Sequence, residues 1–160
     1  MAAILGFRLT QSATTAAPNT SLGGTVTTEI VSATALNNLF PDVTPAEATS
    51  GITEQYRAID IYNSGNATAV GIKLYMSSIT TSTDTKLELA IDATATQQLA
   101  SDTTTPATPA LSFAERGVGS ELSITDIAAS GSARIFIKRV VTAGATNIAS
   151  DSGTLAVDYA

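Results

Sequence analysis

A chain of 160 residues with no His, no Cys and only 14% charged side chains has the length of one domain and little of the equipment of catalysis. The missing residue types exclude Ser-His-Asp and Cys-His nucleophiles, disulfides and the usual zinc sites. Fourteen acidic residues against eight basic ones give a net charge of −6, which argues against nucleic acid, whose phosphates demand a concentrated Lys/Arg footprint.

Residues 1–32 form a Thr/Ser/Ala-rich leader. Ile4, Phe7 and Leu9 anchor a first expected strand and residues 26–31 a second, with AAPNTSLGG between them as a loop or an extended arm. The opening MAAILGFRLTQSATTAA lacks a basic leader, and Arg8 interrupts its short apolar stretch, so no signal peptide is expected. No apolar run approaches the roughly 18 residues of a membrane span. Residues 35–49 are the one segment without a strand pattern. There Asp42 or Thr44 caps a short helical turn, with Pro45 at its first position and Glu47 following, and Leu36, Leu39 and Phe40 plug one end of the fold.

Residues 56–76 read as a hairpin. Ile59 and Ile61 alternate with Ala58, Asp60 and Tyr62, and after Ser64-Gly65-Asn66 the set Val70, Ile72, Leu74, Met76 alternates with Gly71, Lys73 and Tyr75. If these strands pair, Tyr56, Tyr62 and Tyr75 share an outer face. That face is an interface, a cross-strand ladder, or a sheet surface covered by the leader. Further strands are expected at Leu87-Leu89-Ile91, Leu111-Phe113, Leu122-Ile124-Ile127, residues 134–141 and Leu155-Val157-Tyr159. The predicted fold is therefore all-β: a single antiparallel sandwich, immunoglobulin-like or jelly-roll-like, over residues 33–160, with residues 1–32 as an arm or edge strands.

Residues 92–109 break this rhythm with a long Thr-rich loop carrying Pro106 and Pro109. A structureless loop of that length is a contact element or a crossover between sheets. Glu54, Asp60, Asp84, Glu88 and Asp92 fall at solvent-facing or turn positions and make no acid–base pair. Asp42, Asp84, Asp92, Asp102 and Asp151 read as turn and capping residues rather than calcium ligands, and Lys138-Arg139 as a solvated or interface pair. No metal or cofactor is expected.

The phrases YNSGNATAVGIKLYM and LSITDIAASGSARIFIKRVV resemble strand pairs of immunoglobulin-like modules. The order PNTSLGG, LNNLFPDVTPAEATSG, EQYRAIDIYNSGNATAVGIKLYM, DTKLELAID and DSGTLAVDY is similar to virion structural proteins of tailed bacteriophages. That resemblance implies a small β-sandwich that coats a capsid or forms part of a tail; the leading expectation is a non-enzymatic head decoration (cement) protein, assembled in the host cytoplasm. It would bind the outer surface of the major capsid protein shell, alongside further copies of itself. A tail, baseplate or fibre-attachment module is the alternative, and a carbohydrate-binding module a weaker one, given four Tyr and no Trp. The leader and the loop 92–110 are the expected contact elements, with Phe7, Leu9 and Leu22 as apolar anchors and Tyr56, Tyr62, Tyr75, Thr104 and Pro106 as further partner-binding residues. Removing residues 1–25 is then expected to leave a folded domain that no longer decorates particles.

Overall fold

Ile59 and Ile61 enter the same apolar layer as Leu74 and Met76, yet the strands that carry them lie in different sheets. The computed structural model describes residues 1–11, 18–32, 39–80, 82–148 and 151–160. Among these are eight strands: β1 (Leu5–Gln11), β2 (Thr25–Ile30), β3 (Ile52–Asn63), β4 (Lys73–Ser78), β5 (Thr85–Asp92), β6 (Leu122–Ser123), β7 (Ser132–Val141) and β8 (Thr154–Asp158). They form a five-stranded sheet in the order β2-β1-β3-β7-β5 and a three-stranded sheet in the order β6-β4-β8. Every strand pair is antiparallel. The fold is the all-β sandwich that the alternation predicts.

The expected hairpin does not form. β3 pairs with β1 and β7, and β4 pairs with β6 and β8. Period-2 alternation fixes which side of a strand is buried and is silent on its neighbour. Ile59, Ile61, Leu89, Ile135 and Ile137 line the core from the large sheet, and Ile72, Leu74 and Met76 face them.

Ser64-Gly65-Asn66 serves instead to hold the N-terminal backbone. Ser64 N donates to Ile4 O at 2.9 Å and Asn66 N to Ala2 O at 3.1 Å. Gly65 is needed there for proximity, because a Cβ would lie 2.3 Å from Ala2 O. The leader enters the sandwich as strands: β1 runs between β2 and β3 with Leu5–Leu9 opposite Asn63–Ile59. The described residues of 1–32 thus form an interior strand, β1, and an edge strand, β2, and Leu9 is buried.

Helix α1 (Pro45–Ser50) begins as expected, with Thr44 as N-cap, Pro45 in the first turn and a reciprocal bond from Thr44 N to Glu47. Leu39 and Phe40 pack partly buried against the core, while Leu36 lies outside the described residues. No described helix is long and apolar enough to cross a membrane.

Candidate functional site

The centre of the outer face of the five-stranded sheet is closed to solvent. Tyr56, Ala58 and Phe136 on that face are buried and form a second apolar cluster with Leu99, flanked by Leu22, Leu111 and Phe113. Residues 93–114 lie over it, joined by the leader turn 21–24. Leu99 N donates to Leu22 O at 2.8 Å, Gly24 N to Gln97 O at 3.3 Å, and Ala58 N to Ser21 O at 2.8 Å. Gly23 permits this contact, since a Cβ there would come within 2.1 Å of Gln97 O. The two segments expected to act as contact elements thus meet and form one cover.

Buried charge holds the cover down. Arg134 grips Asp60 in a two-pronged pair, both bonds 2.9 Å, with both side chains almost fully buried. Its remaining nitrogen, Nη1, donates to Ala95 O at 3.2 Å and Gln97 O at 3.3 Å. Asp92 accepts from Thr94 N, Thr94 Oγ1 and Gln97 N. Burial works to raise its carboxyl, but these bonds and Arg134 outweigh it and hold the group below its ordinary value. Gln97 then fixes the tip of the cover, donating through Nε2 to Pro109 O at 2.8 Å and accepting from Thr108 N at 3.3 Å.

A second charged cluster closes one end of the sandwich. Gln55, Arg57 and Arg139 have the inward parity of Ile59 and Ile137 and are buried. Asp102 reaches them from the cover, accepting from Gln55 Nε2 at 2.6 Å and Arg57 Nη2 at 3.3 Å. Burial acts to raise Asp102 as well, and the Gln55 and Arg57 bonds reverse it, leaving the carboxyl below its usual value. Both guanidiniums lie over the Phe40 ring, at 5.2 and 4.8 Å. Reading Lys138-Arg139 as a solvated or interface pair is corrected: Arg139 is internal, and Lys138 pairs with Glu88 across the β5–β7 ladder. Arg57 and Arg139 share the spacing of the core isoleucines, and that parity was the available signal.

The expectation that Asp60 and Asp92 face solvent is likewise overturned, because the cover buries both. Asp84 and Asp151 do cap turns, accepting from Thr146 N and Ser82 N. Among the described residues no three carboxylates converge on a point that would hold a metal ion. A groove of about 290 Å³ between Met76, Ile79, Leu87 and Glu115 brings together only Lys86 and Glu115 as charged groups.

No family model, curated protein or solved structure matches the chain.

The expected contact residues divide sharply. Phe7 packs against the main core, Leu9 is buried and Leu22 packs against the second cluster, so all three apolar anchors serve the chain's own interior. Pro106 is buried and Thr104 exposed. Tyr56 is buried; burial, then its bond to Glu54, pushes its phenol up to about 12. Tyr62 lies half-buried under Arg8, whose guanidinium is 3.5 Å from the ring centre. Tyr75 sits on the three-stranded sheet, bonded to Asp158 at 3.0 Å. Tyr56 and Tyr62 share the outer face of β3, but Tyr75 does not join them, since β3 and β4 lie in different sheets and turn their outer sides in opposite directions.

Half of the exposed large apolar side chains among the described residues lie elsewhere, together at one end, the others being Ile30, Ile79, Val118 and Ile148. Met1, Ile4, Val70 and Tyr159 are all exposed at the end where both termini meet. There Val70 and Ala160 exchange backbone bonds, and Tyr159 Oη lies 3.4 Å from both Leu5 N and Ala3 O.

Proposed function

We propose that this protein is a non-enzymatic structural component of a virion, a head decoration protein that adheres to the outer surface of the major capsid protein shell. The resemblance to virion proteins of tailed bacteriophages suggests the setting. The observation that carries an adhesive role is the apolar end, where Ile4, Val70 and Tyr159 stand exposed on a scaffold fixed by backbone hydrogen bonds. A cluster of exposed apolar side chains on a soluble domain marks a contact surface, and a rigid one loses little entropy on docking. Phe7, Leu9 and Leu22 have no such exposure, so the leader's adhesive residues become Met1 and Ile4. The buried ions support the same reading, because Asp60, Arg134, Asp92 and Asp102 hold loops in place instead of lining a cleft.

Quantitative mass spectrometry of purified particles tests this. Hundreds of copies per particle fit head decoration, a few to some tens place the protein in the tail, and none ends the proposal. Ile4→Asp with Val70→Asp is expected to retain the fold and lose particle binding. Undiminished binding by that variant would remove the apolar end as the attachment surface.

A further inference from the structure

The two edges of the five-stranded sheet differ. Beside β5 the chain returns along its own edge: Leu89 N donates to Ala114 O at 2.9 Å and Ala114 N to Leu89 O at 3.3 Å. At the other edge, among the described residues, β2 pairs with β1 alone. Val31 N donates to Phe7 O at 3.0 Å, and Thr27 O accepts from the Arg8 guanidinium. Backbone groups alternate in direction along a strand. Residues 27, 29 and 31 therefore face β1, and the register shift opposite Leu9 leaves that parity intact. Val26, Thr28 and Ile30 turn their N–H and C=O groups away from the sheet. Thr28 and Ile30 are exposed, Ile30 by 74%. Lys and Pro, which guard open edges elsewhere, are absent from this strand, and every residue of TVTTEI except Glu29 is β-branched.

We infer that β2 is a self-pairing edge, along which two copies of this chain join antiparallel about a twofold axis at Thr28. The order of its side chains selects a second copy as the occupant. An outward-facing residue pairs only with another outward-facing residue, so the axis passes through a residue and never between two. An axis at Glu29 sets two carboxylates directly opposite each other, which is repulsive. An axis at Thr27 leaves Ile30 opposite Gly24, with no side chain to cover it. With the axis at Thr28, Val26 stands opposite Ile30, Thr25 opposite Val31, and Thr28 opposite its own copy, while Glu29 meets Thr27. The strand is thus its own complement: β-branched side chains meet across the seam, no like charges oppose each other, and the exposed Ile30 is covered at both ends. The symmetric pair uses the β2 edge of both copies, and with Ala114 seated beside β5 growth along this sheet stops at two. One added strand is a smaller contact than a standard interface, so association is weak, on the order of 100 μM. The inference is independent of the shell proposal, because it concerns the isolated protein.

Sedimentation equilibrium of the full chain from micromolar to millimolar concentration tests it, with a monomer–dimer equilibrium as the expected result. The register has its own test, because the chain contains no Cys and Thr28→Cys introduces a single thiol. The axis brings that position within about 5.5 Å of its copy, Cα to Cα, a separation that a disulfide spans. Under mild oxidation Thr28→Cys is expected to crosslink at least about tenfold faster than Ile79→Cys, an exposed position off the edge. Ile30→Lys places a charge on the seam and is expected to weaken the dimer at least about tenfold. Far-UV circular dichroism verifies that each variant is folded. A chain that stays monomeric at every concentration overturns the inference. So does Thr28→Cys crosslinking no faster than Ile79→Cys, or a dimer indifferent to Ile30→Lys.

Discussion

Asn63 engages all four hydrogen-bonding positions of its amide inside the protein. Oδ1 accepts from Ile4 N and Gly65 N, and Nδ2 donates to Ala67 O and Ile127 O. One fully buried side chain thus ties the N-terminal segment, the β3–β4 connection and the loop before β7 to a common point. Asn63→Asp keeps the shape and the two acceptor bonds but leaves Ala67 O and Ile127 O facing a carboxylate. A buried charge set against carbonyl oxygens loses two bonds and adds repulsion, so the expected destabilisation is about 2–4 kcal/mol. Chemical denaturation checks this through a lower midpoint at unchanged slope. Asn63→Gln does not restore the site, because its longer side chain displaces the same four groups. In the sequence this Asn reads as a turn residue, since its position at the end of a strand gives no sign that loops from distant parts of the chain close over it.

At the scale of the elements, the legible part of the sequence was burial parity. Alternation located β1, β3, β4, β5, β7 and β8, because each position records whether it faces the core. Partnership was not legible: β3 and β4 carry the same inward pattern because they face one core from opposite sides. The cover was hidden for a different reason. Leu99 and Pro106 dock it without any period, while Leu111 and Phe113, expected as a short strand, belong to no described strand and instead pack against the second cluster. The capping box at Thr44 and Glu47 was legible because it is wholly local. The leader's position in the sheet reverses the expectation attached to its removal. Deleting residues 1–25 strips β1 from between β2 and β3, exposes the backbone edge of β3 from Ile59 to Asn63 and removes buried Leu9, Thr10 and Ser21. The truncated chain is expected to be unfolded or aggregated, with loss of the cooperative thermal transition of the full chain. A cooperative transition within a few degrees of the full chain's would show that the leader is dispensable for folding.

For the whole molecule, the linkage between cover and sandwich has an electrostatic part beside its apolar cluster, and that part gives the fold a defined response to acid. Asp92 and Asp102 both anchor the cover, and both carboxyls lie below the ordinary value of 3.8. A carboxyl with a depressed folded-state value binds protons more readily when unfolded. Its contribution is therefore complete above about pH 4 and disappears as pH falls through the folded value. Asp60 acts in the opposite sense, since burial outweighs the pull of Arg134 and raises its carboxyl, so the acid limb comes from the cover anchors together with Glu47, Asp84 and Glu121, whose carboxyls are lowered by local hydrogen bonds. Asp102→Asn separates their effects. The amide still accepts from Gln55 and Arg57 but carries no charge, and with the Asp102 side chain about one-third exposed (33%) the loss at neutral pH is about 1 kcal/mol. That difference between the two chains is expected to shrink as pH falls below about 4, because the wild-type carboxyl loses its charge as pH passes through its lowered folded-state value. Hydrogen exchange followed across that range should show the amides of residues 93–110 losing protection before those of β3 and β7, whose ladder contains no titrating backbone anchor. Equal loss of protection in cover and central strands would mean that the cover is held by its apolar contacts alone, with Asp92 and Asp102 incidental to it.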